Sequence, residues 1–283
     1  MLSSLNFNSQ NALQHYNVID IILHVQIIFR INLTIRYLFT MKTSGNTILI
    51  TGGTSGIGKG FAEEFSLRNN KVIICGRREN RLQEIKQYNE NIEVIICDVT
   101  DAGQRELLIK TVTKKFPETN ILINNAGVQL LADLTDVDLN KLNLEIETNL
   151  IAPVHLASLF IQNMKTRNES AIINISSGLA FVPLTFVPVY CATKAAIHSL
   201  TISLRHQLKD SLIKVFEIIP PSVDTELGHE RRTNKSETHG GIPINEFISE
   251  SIKVIENDIL EAPIDGAINL YEKREAMFRV MNK

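Results

Sequence analysis

Thr47-Ile48-Leu49-Ile50-Thr51-Gly52-Gly53-Thr54-Ser55-Gly56-Ile57-Gly58 decides the reading of this chain. Ile48, Leu49 and Ile50 read as a buried strand. Glycines spaced as Gly52, Gly56 and Gly58 then lead into a helical pattern of Phe61, Ala62, Phe65 and Leu67. A tight strand-to-helix turn uses glycine for positive φ, and because backbone N–H groups then approach a ligand with no Cβ between. The helix that follows points unpaired N–H groups and a partial positive charge over the turn, where an anionic pyrophosphate fits.

A competing motif overlaps this stretch. Gly53-Thr54-Ser55-Gly56-Ile57-Gly58-Lys59 matches the first seven positions of a phosphate-binding P-loop. That loop next requires a Ser or Thr hydroxyl for Mg²⁺, and here the residue is Gly60. Dinucleotide binding is therefore favoured over triphosphate hydrolysis.

At 283 residues, 44% hydrophobic and 21% charged, the chain has the composition of a soluble globular protein. A net charge of −2 gives no basic excess for nucleic acid. Cys75, Cys97 and Cys191 are odd in number, widely spaced and set in apolar surroundings, which fits a reducing cytoplasm better than a disulfide framework. The histidines show no metal-ligand spacing, so no metal site is expected.

Residues 1–40 differ from the rest, with no Gly, Pro or Lys and a first basic residue at Arg30. The basic start of a secretory signal is missing. Between Val18 and Phe39, polar residues interrupt every apolar run before the ~20 residues of a membrane span accumulate. This segment reads as a poorly ordered extension ahead of Met41, the sensible start, with membrane-surface attachment through 18–39 as the alternative.

From Lys42 onward strands and helices alternate. Strands are expected at Thr47–Thr51, Lys71–Cys75, Ile92–Cys97, Asn120–Ile123, Ala171–Ile175 and Lys214–Ile219, with helices near 57–69, 78–88, 101–116, 136–166 and 189–209. The strands are continuously apolar, as in a parallel sheet covered by helices on both faces. The expectation is one domain over 41–283: a doubly wound, Rossmann-type α/β fold in three α/β/α layers, binding ligands beyond the carboxyl ends of its strands.

Several residues follow those strand ends. Gly76 stands where an acid would bond a ribose 2′-hydroxyl, and Arg77 and Arg78 come next, so NADP(H) is favoured over NAD(H) through Arg77. Asp98 either accepts from an adenine amino group or caps the helix beginning near Thr100. Asn124-Asn125-Ala126-Gly127 is suited to tying strand ends together while leaving room for a cofactor. Pro153 lies inside the 136–166 helix and cannot donate to the carbonyl of Asn149, which is expected to be free at a local bend and able to hold a water.

Ser176-Ser177-Gly178 ends the fifth strand, and Tyr190 and Lys194 follow four residues apart, on one helix face. A phenol titrates near pH ~10, too high for proton transfer at neutrality. An ammonium about 6 Å away, at an effective dielectric near 20, contributes roughly 2.8 kcal/mol, or about two pH units. The pair would make Tyr190 a usable general acid or base, with Ser177 holding the substrate oxygen.

In these motifs residues 41–283 resemble the short-chain dehydrogenase/reductase family. Gly52, Gly56 and Gly58 match its glycine pattern, Asp98 its adenine-side acid, and 124–127 its Asn-Asn-Ala-Gly turn. Asn149, Ser177, Tyr190 and Lys194 match its active-site set in order and spacing. The resemblance implies hydride transfer between a nicotinamide cofactor and a small carbonyl or alcohol. It also implies that Lys194 binds the ribose hydroxyls and that a water on the Asn149 carbonyl relays protons. By the same resemblance Thr54, Ser55, Ile57, Val99, Asn125, Ala126, Gly127, Tyr190, Pro220, Val223 and Thr225 contact the cofactor. The run Phe216–Leu227 is similar to a bacterial subgroup of DltE-like oxidoreductases. Pro221 departs from the family by replacing its usual glycine, and so alters the backbone on the nicotinamide side.

Residues 222–242 read as a mobile substrate lid, whose basic residues Arg231, Arg232 and Lys235, with His229 and His239, fit a solvated loop better than the alternative, selection of an anionic substrate. Ile259–Ile264 is expected as an edge strand, 268–281 as helix, and Cys191 as a buried apolar residue. Family members pair as homodimers or homotetramers, for which Ala195, Ile197, Leu200, Ile202 and Leu204 offer an apolar surface. A cofactor-binding regulator or scaffold on the same fold is the alternative function.

Overall fold

A computed structural model describes residues 40–167, 169–228 and 240–283. The expectations for the extension before Thr40, surface attachment through 18–39 included, and for His229, Arg231, Arg232, Lys235 and His239 lie outside the described residues.

Seven parallel strands form one sheet in the order β3-β2-β1-β4-β5-β6-β7. They are β1 (Thr47–Thr51), β2 (Lys71–Gly76), β3 (Ile92–Ile96), β4 (Ile121–Asn124), β5 (Ser170–Ile175), β6 (Ile213–Ile219) and β7 (Glu261–Pro263). The helices between them are α1 (Gly56–Leu67), α2 (Glu79–Tyr88), α3 (Ala102–Lys115), α4 (Leu139–Ile146), α5 (Ala152–Met164), α6 (Pro188–Gln207) and α7 (Ile244–Glu256). After β7 come α8 (Ala267–Lys273), a 3₁₀ turn and α9 (Phe278–Met281).

Successive strand residues face opposite sides, and both sides are packed. Ile48 and Ile50 join Phe61, Phe65, Phe247 and Ile252 in one core layer. Leu49, between them, joins Leu122, Leu156, Phe160 and Val215 in the other. That is the physical reason the strands read as unbroken apolar runs. Strand order reverses direction on either side of β1, whose neighbours are β2 and β4. The crevice above such a switch is where doubly wound sheets hold ligands.

The structure departs from the sequence reading, or decides between its alternatives, at four places. The expected 136–166 helix is two helices joined by a π-turn at Glu147–Ile151, where Ala152 N–H donates to the Glu147 carbonyl five residues back. Pro153 then sits in the first turn of α5, where a missing N–H costs little. The α3 cap is Asp101, whose side chain accepts from Gln104 N, rather than Asp98. The amphipathic helix α7 went unassigned at sequence level, and it buries Phe247, Ile248, Ile252 and Ile255. Lastly, Ile197 and Leu204 on α6 are buried in the subunit's own core and present no pairing surface, whereas Ile202 is exposed.

The run Leu139–Met164 is long and apolar enough by composition to cross a membrane. Ala152, Leu156 and Phe160 within it pack against the sheet. The base of the 222–242 loop is clamped, with Ile242 N donating to Ser222 O (3.0 Å) and Asp224 N to Ile242 O (3.0 Å).

Candidate active site

A cavity of about 420 Å³ lies over the carboxyl ends of the strands. Its wall includes Gly52, Thr54, Ser55, Gly56 and Ile57 from the β1–α1 turn, Gly76, Arg77 and Arg78 after β2, and Asp98 and Val99 after β3. Asn125, Ala126 and Gly127 after β4 continue it, closed by Lys194 and Thr225. The structure thus brings together most of the residues singled out as cofactor contacts. Gly58, Tyr190, Pro220 and Val223 are not part of the wall. Gly58 is needed for packing: a Cβ there would lie 2.5 Å from the Gly52 carbonyl oxygen and 2.3 Å from Asn125 Nδ2. Val223 belongs to the core, and the Pro220 carbonyl accepts from Gly178 N (2.9 Å).

The turn itself is built for an anion. Gly52 and Gly56 take φ of +68° and +53°, a region side chains other than glycine seldom occupy. A Cβ on Gly56 would also crowd Thr225 at 3.2 Å. Asn125 Nδ2 donates to the Thr51 carbonyl (2.9 Å), and Thr51 Oγ1 accepts from both Asn125 N and Ala126 N (3.0 Å each). These bonds hold the ends of β1 and β4 in fixed register beneath the turn. An open floor, glycine φ values and the N-terminus of α1 fit a pyrophosphate.

On the β2 side the two arginines divide. Arg77 is exposed and lies 3.9 Å from Asp98. Arg78, its neighbour, donates to Thr54 Oγ1 (2.8 Å) and Ser55 Oγ (2.6 Å) on the turn. It also pairs with Glu226 (2.9 Å), as does Arg81 (2.5 Å). Burial pulls the Glu226 carboxyl up, but hydrogen bonds from Arg78 and Arg81 outweigh it and hold the group at about 2. Asp98 turns its Oδ1 onto Thr100 N (3.0 Å) and Oγ1 (2.8 Å) while lining the cavity.

At the other end Asn149, Ser177, Tyr190 and Lys194 are all buried. Asn149 sits in the π-turn, accepts from Val128 N (2.9 Å) and donates to Val128 O (2.8 Å). Two residues on, Leu130 N donates to Glu145 Oε1 (3.0 Å), so Asn149 and Glu145, four apart, strap the cavity-lining segment Val128–Leu130 to the helix. Lys194 Nζ donates to Ile175 O (2.8 Å) and lies 5.7 Å from the Tyr190 ring centre. A Cβ on Gly127 would approach both Asn149 Oδ1 (3.5 Å) and Lys194 Nζ (3.7 Å), which places these two groups side by side.

The electrostatics correct the expectation for Tyr190. Burial raises its phenol well above the usual range, and a hydrogen bond with Ser177 offsets only part of that. The Lys194 ammonium yields instead: burial lowers it to about 8, against the opposing fields of Glu217 and Glu145. Loss of water dominates for both groups and outweighs the attraction of a cation one helical turn away. Cys191 is buried, with Leu184 N donating to its Sγ (3.3 Å), and burial raises its thiol.

Glu145 and Glu217 were missed from the sequence. Glu145 carried a signal, lying one helical turn before Asn149. Glu217 did too, as a lone acid in the apolar strand Val215–Ile219. Glu217 Oε2 is 2.8 Å from His198 Nδ1 on α6, and Glu217 Oε1 is buried without a hydrogen-bond partner among the described residues. His198, Glu217 and Glu261 converge to within 4.8 Å. Glu261 is already held by Tyr271 (2.7 Å) and Arg205 (3.4 Å). Their positions in sequence, 198, 217 and 261, show no spacing that would reveal this.

The short chain dehydrogenase family matches residues 46–236. The oxidoreductase DltE of Bacillus subtilis (strain 168) is 44% identical over 231 residues, covering 80% of this chain and 92% of DltE. A short chain dehydrogenase/reductase from Burkholderia phymatum, solved with NAD, superposes with a TM-score of 0.77 at 20% identity, covering 86% and 97% of the two chains. Serine dehydrogenase, solved with NADP⁺, gives 0.71 at 26% identity, covering 77% and 94%. A parallel sheet with a glycine turn at its switch point, matched along most of its length by such proteins, leaves one assignment: the chain belongs to the short-chain dehydrogenase/reductase family, as a DltE-like NAD(P)-dependent oxidoreductase.

Proposed function

We propose that this oxidoreductase uses NADP(H) in preference to NAD(H) and acts on a small carbonyl or alcohol, with Tyr190 as general acid/base. The observation that carries the reading is the burial of Ser177, Tyr190 and Lys194, with Tyr190 hydrogen-bonded to Ser177 and Lys194 lining the same cavity as the glycine turn. When bound, the nicotinamide supplies or accepts the hydride. The β1–α1 turn would hold the pyrophosphate and Lys194 the adjoining ribose hydroxyls. Asp98 and Val99 would face the adenine, and Thr225 the carboxamide.

Ser177 and Tyr190 would bind the substrate oxygen between them. Burial keeps the phenol protonated, so in the reductive direction it donates its proton to the developing alkoxide. In the oxidative direction an ionised phenol is needed. The Lys194 cation, and the positive charge of an oxidised nicotinamide, favour that form. Asn149 holds the Val128–Leu130 strap, and its backbone in the π-turn would carry the water that passes the proton outward.

Preference for the 2′-phosphate is supported by Gly76 in the acidic position, by exposed Arg77 at the cavity edge, and by Arg78 directly on Thr54 and Ser55. The three free thiols fit a reducing cytoplasm, and the exposed Ile151, Val154 and Ile202 on α5, its preceding turn and α6 fit a homodimer or homotetramer. Residues 41–283 would supply the catalytic unit. Tyr190→Phe should abolish turnover of any carbonyl found active in a panel screen while leaving NADPH affinity within about threefold. Retained turnover would refute the role of Tyr190.

A further inference from the structure

Lys194 is a buried ammonium with three donors, and its one hydrogen bond to a protein acceptor among the described residues goes to a neutral carbonyl, Ile175 O. Among the described residues no acidic side chain lies within 4 Å of its ammonium as an ion pair. A buried charge without compensation costs several kcal/mol. Buried anions farther off can offset part of that cost, and two stand on elements packed against α6 and oppose the effect of burial on Lys194. Glu217 is fully buried on β6 and fixed by His198, one turn beyond Lys194 on the same helix. Glu145 is buried on α4, where burial raises its carboxyl while the Leu130 amide and the Lys194 charge favour the anion.

The remaining titratable groups do not replace them. Tyr190 and Cys191 on α6 are neutral at physiological pH, both raised by burial. His198 is committed to Glu217, and Glu147 on the π-turn faces Arg105 (3.5 Å). The orphaned Glu217 Oε1 agrees with a carboxylate whose charge, rather than its full set of hydrogen bonds, is what the site uses.

We infer that Glu217 and Glu145 are positioning residues that help keep Lys194 a cation from two sides, one through the sheet and one through the helix that leads into the π-turn of Asn149. Glu145 has a second task in the same place, since its carboxylate also pins the cavity-lining strap at Leu130. The inference rests on Lys194 being the cation beside Tyr190, and is tested in a way that does not depend on turnover.

The test uses the full, cofactor-free chain. Unfolding free energy is measured against pH for wild type, Glu145→Gln and Glu217→Gln, each compared with the same protein also carrying Lys194→Met. Glutamine keeps the acceptor for Leu130 N and a partner for His198 but removes the charge. The Lys194-dependent rise in stability should begin about one pH unit lower in each glutamine variant, and lower still in the double variant. With an active substrate, the alkaline limb of kcat/KM should move the same way. An onset within about 0.2 pH unit of wild type in either variant overturns the two-sided arrangement. Should Glu217→Gln not fold, Glu145→Gln carries the test alone. Because stability is read without substrate, an unmoved onset with Tyr190-dependent turnover intact sinks this inference and spares the proposed function.

Discussion

Replacing Lys194 by Met removes the one ammonium that the fold buries beside the phenol. Burial brings that ammonium from 10.5 to about 8, with Glu217 and Glu145 opposing the fall. The displacement corresponds to about 3 kcal/mol of folding free energy. Below pH 8 the folded and unfolded chains both carry the proton, and the whole cost of burying the charge is present. Between pH 8 and 10.5 the unfolded chain binds one proton more than the folded chain, so wild type gains stability as pH rises. The gain between pH 8 and 9.5 is about 2 kcal/mol, and Lys194→Met should lack it. The lost bond to Ile175 O shifts the mutant by a constant amount, and the thiols and Tyr190 titrate in both proteins. The assay is urea unfolding followed by circular dichroism at half-unit pH steps under reducing conditions, reported as the wild-type-minus-mutant difference. A difference that stays level within about 0.5 kcal/mol from pH 7 to 9.5 would show that Lys194 is not desolvated, and the account of the site would fail.

Further predictions concern the cofactor end. Arg77→Ala should narrow the preference for NADPH over NADH in titrations, and Arg78→Ala should weaken both cofactors by loosening Thr54 and Ser55; equal wild-type affinities would remove the assignment. Glu226→Gln frees Arg78 and Arg81 and removes a nearby anion, so NADPH should bind several-fold more tightly and NADH little changed, a result isothermal calorimetry can contradict directly. Gly58→Ala places a methyl 2.5 Å from the Gly52 carbonyl oxygen, backbone that cannot give way cheaply. It should lower stability by about 1–3 kcal/mol and cofactor affinity with it, and a thermally neutral mutant with normal binding would argue against the packing role. Asn125→Ala leaves the buried Thr51 carbonyl without its side-chain donor, and should cost about 1–3 kcal/mol in chemical denaturation.

The sheet was legible because its strands are buried on both faces, so unbroken apolar runs such as Ile48–Ile50 and Val72–Cys75 marked them to within one or two residues. The glycine turn and the Tyr190–Lys194 pair were legible because local spacing alone sets them. What stayed hidden depends on neighbours distant in sequence. Arg77 and Arg78 are adjacent in the chain, yet only contact with Thr54 and Ser55 separates their tasks. Tyr190 was assigned the wrong direction of shift because spacing reports a cation four residues away but not the loss of water. Helix α7 escaped notice behind the polar run that precedes it, although Phe247, Ile248, Ile252 and Ile255 carry the helical period. Proline at 153 did announce an irregularity near Asn149, but not that it would be one wide turn instead of a bend.

That wide turn has a consequence of its own. One residue of slack at Glu147–Ile151 lets the two halves of a long rod be indexed separately: Glu145 and Asn149 to the strap, Ala152, Leu156 and Phe160 to the sheet. Each residue of a regular helix advances the azimuth by about 100°. Deleting a single residue there would straighten the rod and swing one of those sets away from its target, so apart from Asn149 the segment should tolerate substitution better than a change in length.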